Sequence, residues 1–155
     1  MKRSRFAVAA LAALFCISAG TKDDAAKAEK KGIQGTWRFV SVLDQGQEQA
    51  WPEGNRLVIT SEVMQITYLR DDPMGWKYTI DSSKDPKEMD WIVEIDPAHP
   101  IRQLAIYSLD GDTLKICSVA AGKPRPAKLA SKKGDFGGLW VLKRAAPAQA
   151  RQVVK

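Results

Sequence analysis

Ile33-Gln34-Gly35-Thr36-Trp37-Arg38-Phe39-Val40-Ser41-Val42 is where this chain changes character. A glycine, a small polar residue and a tryptophan open a strand. Trp37, Phe39 and Leu43 share one parity, with Ser41 between them, while Val40 and Val42 share the other. Apolar residues on both parities predict a strand covered on both faces over part of its length. Everything downstream reads as sheet packed around Trp37.

Upstream the pattern is different. Met1-Lys2-Arg3-Ser4-Arg5 is basic, Phe6 to Ile17 is apolar, and Ser18-Ala19-Gly20 places small residues before Thr21. This is the anatomy of a secretory signal peptide over 1–20, and the apolar run is well short of the ~20 residues of a spanning helix. The alternatives are an uncleaved anchor, or lipidation at Cys16, which the bulky Phe15 before it disfavours. Residues 21–32 are rich in Lys, Ala, Asp and Glu without an apolar face, and are expected as a flexible linker. The implied location is extracytoplasmic, with no membrane span once the leader is removed.

The whole chain of 155 residues carries a formal charge of +6. That excess sits at the ends: residues 34–144 hold 15 basic and 15 acidic side chains. A nucleic-acid binder concentrates its basicity on the folded domain, so no nucleic-acid partner is expected. Without the leader only Cys117 remains, so no internal disulfide can form. Five tryptophans in so short a chain suit a packed β core or a cavity wall.

The remaining strands follow in order. Arg56 to Thr60, Val63 to Leu69, Trp76 to Ile80 and Met89 to Ile95 are separated by turns rich in Pro, Gly and Asp. Arg102 to Leu109 and Thr113 to Val119 flank Asp110-Gly111-Asp112, a strong hairpin signal. Ala120 to Gly138 is a long loop of Gly, Pro and Lys, and Leu139 to Arg144 closes the domain ahead of a patternless tail, 145–155. About eight short strands with short connections predict an all-β fold: an up-and-down antiparallel barrel over 33–144. Eight strands enclose an interior that side chains fill or that holds one small ligand.

Gly35-Thr36-Trp37 resembles the G-x-W opening of lipocalins, and Arg144 resembles the family's arginine that packs over that tryptophan. A closer resemblance is to a functionally uncharacterised, lipocalin-like (calycin-like) domain family abundant in planctomycete bacteria. Its motifs stand here as Ile33 to Trp37, Asp81 to Asp90, Ile106 to Cys117, Gly122 to Leu129 and Val141 to Arg144. Leu129 replaces that family's usual aromatic and Pro124 is an insertion. The resemblance spans roughly residues 33–144 and implies a secreted lipocalin-like barrel closed by Trp37 and Arg144. It implies no particular activity.

Candidate chemistry is sparse. His99 is the only histidine and lies between prolines, which leaves no material for a His-based triad or a His-rich metal site. Asp71-Asp72 and Asp110-Gly111-Asp112 lack the ligand spacing of a calcium loop and read as turn residues. Asp90 and Glu94 share an outward face and are expected to solvate a strand. No enzyme activity, metal or cofactor is expected. Two binding sets remain. Trp37, Phe39, Tyr68, Trp76, Tyr78 and Trp91 are candidates to line a cavity for a small hydrophobic ligand. Lys123, Arg125 and Lys128, with Lys132 and Lys133 nearby, are candidates to hold an anion such as an envelope polyanion. The expected species is a monomeric ligand-binding barrel; the alternative is a cell-envelope interaction or structural module without a cavity.

Overall fold

The computed structural model describes residues 22–68, 72–94, 98–134 and 137–146. The leader expected over 1–20 and the tail from 147 lie outside the described residues. The elements are α1 (Lys22–Ile33), β1 (Gly35–Asp44), β2 (Gln47–Glu48), β3 (Arg56–Ile59), β4 (Val63–Thr67), β5 (Met74–Asp81), β6 (Lys87–Val93), β7 (Ile101–Asp110), β8 (Thr113–Val119) and β9 (Gly137–Arg144).

Each strand pairs antiparallel with its neighbour from β3 to β9, and β1 pairs with both β3 and β9. The sheet therefore closes into an eight-stranded up-and-down barrel, with the two-residue β2 appended to β1. Closure removes the unpaired edges that an open sheet would present. Inward residues alternate along each strand. Met64 and Ile66 on β4, Met89 and Trp91 on β6, Ala105 and Tyr107 on β7, and Leu114 and Ile116 on β8 belong to one interior cluster.

A bulge breaks the alternation on β1. Phe39 faces Leu142 and Ser41 faces Val141, so Val40 is the extra residue and is half exposed. Beyond the bulge the faces exchange: Val42 lies opposite Trp140, and Leu43 lies opposite Leu139 on the outer face. Leu43 thus packs with a second, smaller cluster outside the barrel, around Ile106, Cys117 and Leu139. The shared parity of Trp37, Phe39 and Leu43 does not survive, because one unpaired residue inverts every side chain after it.

The stretch expected as a flexible linker is helical from Lys22 to Ile33. It has no apolar stripe and is held instead at its C-terminal end. Ile33 is fully buried, Glu29 pairs with Lys87 at 2.7 Å, and the ammonium of Lys30 lies 5.5 Å from the Tyr78 ring centroid. Among the described residues no helix is long and apolar enough to cross a membrane.

Candidate functional site

The barrel has two unlike ends. At the first, Trp37 donates its indole N–H to the Ile33 carbonyl at 2.8 Å and is fully buried. Arg144 lies over the Trp37 ring. Its Nη1 and Nη2 donate to the carbonyls of Gln34 and Gly32 at 2.9 and 2.8 Å. Gly35 sits beneath with φ +127°, and a Cβ there would meet Arg144 Nη1 at 2.9 Å. Only glycine accommodates both the backbone and that close approach. Tyr78, also near this end, donates its hydroxyl to the Thr60 carbonyl at 2.6 Å. Trp37 and Tyr78 therefore have their polar handles engaged within the protein, and the helix end covers them.

The second end is built from the loops after β2, β4, β6 and β8. Phe39, Trp51, Tyr68, Trp76, Val93 and Trp140 are partly buried there against the interior cluster. Their rings form a continuous series. Phe39 lies 4.9 Å from Trp51 and 5.7 Å from Trp140, and Trp140 stacks on Trp91 at 6.1 Å. Each such pair contributes about 0.5–1.5 kcal/mol beyond area burial. Trp91 itself is buried and donates to Gln103 Oε1 at 3.0 Å. The Trp51 indole N–H is buried without a hydrogen-bond partner among the described residues. Two clefts touch these rings from outside the barrel: one of about 310 Å³ between β1 and the segment after β2 reaches Phe39 and Trp51, and one of about 470 Å³, floored by the outer-face residues Val63, Lys77 and Ile92, reaches Trp76 and Val93. Below the rim the axis is occupied by Trp37, Leu57, Met64, Met89, Tyr107 and Leu142, all under 2% exposed.

The six aromatic candidates are thus divided by depth. All pack in or against the interior cluster. Phe39, Tyr68 and Trp76 reach the mouth, Trp91 stands beneath it, and Trp37 and Tyr78 belong to the covered end. Trp51 and Trp140 complete the mouth and were not among the candidates. Trp51 carried a signal: a tryptophan in a Pro-Gly loop (Trp51-Pro52-Glu53-Gly54) has no reason to be there unless it packs.

The basic candidates separate too. The β8–β9 loop crosses the outer face of the sheet, and Arg125 donates to both carboxylate oxygens of Asp90 and to the Ala105 carbonyl. Glu88 lies 3.2 Å from the same guanidinium. Arg125 is therefore committed internally, not offered to an external anion. Lys123 and Lys128 remain exposed on the loop. Asp90, expected to solvate a strand, is buried beneath Arg125 and Arg102. Burial works to raise its pKa, but hydrogen bonds from the two arginines outweigh it and hold the carboxyl below its ordinary range. Among the described residues no group of three or more His, Cys, Asp or Glu side chains is placed to hold a metal ion.

Against known proteins, no family model, no curated protein and no solved structure matches the chain significantly.

Proposed function

We propose that this is an extracytoplasmic, lipocalin-like binding barrel that takes a small hydrophobic ligand at its aromatic mouth. The observation that carries this reading is the contrast between the two ends. One is sealed by Trp37, Arg144 and α1. The other gathers half-buried rings around a buried indole N–H of Trp51 that has no partner among the described residues. A buried donor left unpaired costs roughly 1–3 kcal/mol, which an acceptor atom on a ligand would recover. The filled axis argues for a ligand held shallowly at the rim, where apolar walls and a few polar anchors are the usual composition of a small-molecule site. The basic leader with its apolar core supports export.

A neutral apolar dye such as Nile red should bind saturably at one site per chain. Trp76→Ala should weaken it about tenfold, the effect of roughly 1.4 kcal/mol lost at a ring contact. Absence of saturable binding, by the dye or by any small molecule retained in native mass spectra of protein from its source, would defeat this reading. It would favour the second: an envelope interaction module, which the filled barrel axis supports.

A further inference from the structure

The β8–β9 loop is a strap tied down at several points. Arg125 holds Asp90 and Glu88 on β6. Cys117 Sγ on β8 donates to the Ala130 carbonyl at 3.3 Å. Ser131 Oγ accepts from the Gly46 amide at 2.9 Å and donates to the Gly137 carbonyl at 3.1 Å. Between these ties the strap stands away from the sheet and leaves a cavity of about 380 Å³. This lies within the ~300–1,000 Å³ range of small-molecule sites.

The walls are apolar and stiff: Val119, Pro124, Pro126, Ala127 and Ala130 line the cavity above the buried thiol of Cys117. Lys123, Lys128 and Lys132 also line it and are exposed. An apolar slot with ammonium groups at its lip is complementary to one kind of small molecule, an apolar body ending in a negative head. Lysine acts as a rotatable point charge rather than a fixed fork. The one arginine of the strap is engaged with Asp90, so it serves to hold the slot open rather than to bind the head. Prolines in the wall reduce the ordering cost of binding.

We propose that this flank cavity is a second ligand site, separate from the mouth, for a single-chain organic anion such as a medium-chain carboxylate. The apolar chain lies under the strap, and the head meets Lys123, Lys128 and Lys132.

Cys117 supplies the readout. Alkylation of its buried thiol by iodoacetamide requires the strap to open, and peptide mapping separates it from Cys16 in the full chain. Monomeric dodecanoate at ten times its dissociation constant should slow Cys117 alkylation about tenfold, by depleting the open form. Dodecanol at the same concentration should give far less protection. The triple variant Lys123→Glu, Lys128→Glu, Lys132→Glu should lose the dodecanoate effect. Ala127→Trp, which fills the slot and keeps the lysines, should lose it as well and decides the matter if the triple variant unfolds. Trp76→Ala at the mouth should leave protection intact. Equal protection by dodecanol would overturn the proposal, as would protection that survives Ala127→Trp or vanishes in Trp76→Ala. Co-sedimentation with phosphatidylglycerol vesicles without protection by monomeric dodecanoate would overturn it too, by showing a membrane surface as the source of the anion.

Discussion

The guanidinium of Arg144 lies 4.2 Å from the ring centroid of Trp37, joining the last residue of the barrel to the third residue of its first strand. The same group reaches the carbonyls of Gln34 and Gly32 at the end of α1, and its Nε meets Asp112 of the β7–β8 turn at 3.2 Å. One side chain therefore ties the helix, both closing strands and a hairpin. Arg144→Ala removes a cation–π contact and three charge-assisted hydrogen bonds, the one to Asp112 exposed. It should cost about 2–4 kcal/mol in urea unfolding. Arg144→Lys should recover less than half of this, since one ammonium cannot cover the ring and serve both carbonyls. A loss below about 0.5 kcal/mol for the alanine variant, the level of an ordinary surface substitution, would show that the closure is held elsewhere.

Asp90 and Arg125 form the link that fastens the strap to β6. The folded-state pKa of Asp90 lies below its unfolded value. Its contribution is thus fully present above the unfolded value of ~3.9 and is lost as pH falls from there through the folded value. The thermal midpoint should fall on acidification below about pH 4, and Asp90→Asn should flatten that fall. At neutral pH Asp90→Ala leaves a part-buried guanidinium without its main counter-charge. It should cost about 3 kcal/mol, the lower end for a broken buried pair. An unchanged acid limb in Asp90→Asn would assign the acid sensitivity to other carboxylates.

The barrel was legible in the sequence because its signals are local. Clean alternation in Trp76-Lys77-Tyr78-Thr79-Ile80 and the Asp-Gly turn after Leu109 mark strands and a hairpin whatever surrounds them. What escaped depends on distant contacts. Asp90 looks like any outward strand carboxylate, and only the fold brings Arg125, 35 residues away, on top of it. Residues 22–33 look like a linker because the helix is anchored by one buried residue and by charge contacts, not by an apolar stripe. The mouth was half legible: Phe39, Tyr68 and Trp76 fall on inward parities, whereas Trp51 comes from a loop with no parity to read.

The Val40 bulge makes a sharp test of register. Phe39 faces Leu142 and Ser41 faces Val141, so deleting Val40 leaves every pair between β1 and β9 in place. The deletion removes local twist, which helps a barrel curve, but exposes no core side chain. It should cost about 1–2 kcal/mol and leave the protein folded. Deleting Val58 from β3, which has no bulge, shifts either Leu57 or Ile59 off the interior face and should prevent folding. Comparison of circular dichroism and thermal midpoints decides this. If the Val40 deletion is as damaging as the Val58 deletion, the bulge is essential to closure.

Tyr107 carries the last consequence. It is 1% exposed in the barrel interior, and its hydroxyl has no hydrogen-bond partner among the described residues. Burial drives its pKa well above the ordinary tyrosine value, and the negative charge of Glu29 adds to the rise without the geometry of a hydrogen bond. At neutral pH Tyr107→Phe removes an unpaired buried hydroxyl, so it should be neutral or stabilise by up to about 1 kcal/mol. The alkaline limb has a definite sign. Below the unfolded value of ~10 both states keep the proton, and the raised pKa contributes fully. As pH rises above that value, the unfolded chain releases the proton while the folded protein retains it, so stability falls until the folded value is reached. The slope is about 1.4 kcal/mol per pH unit for one such group. Tyr78, whose pKa burial also raises, contributes in the same direction. Urea midpoints measured from pH 9 to 11.5 should therefore decline for the wild type and decline less steeply for Tyr107→Phe. Identical slopes would mean that the hydroxyl ionises in the folded protein as readily as in the unfolded chain, and that the interior beneath the sealed end is wetter than its packing indicates.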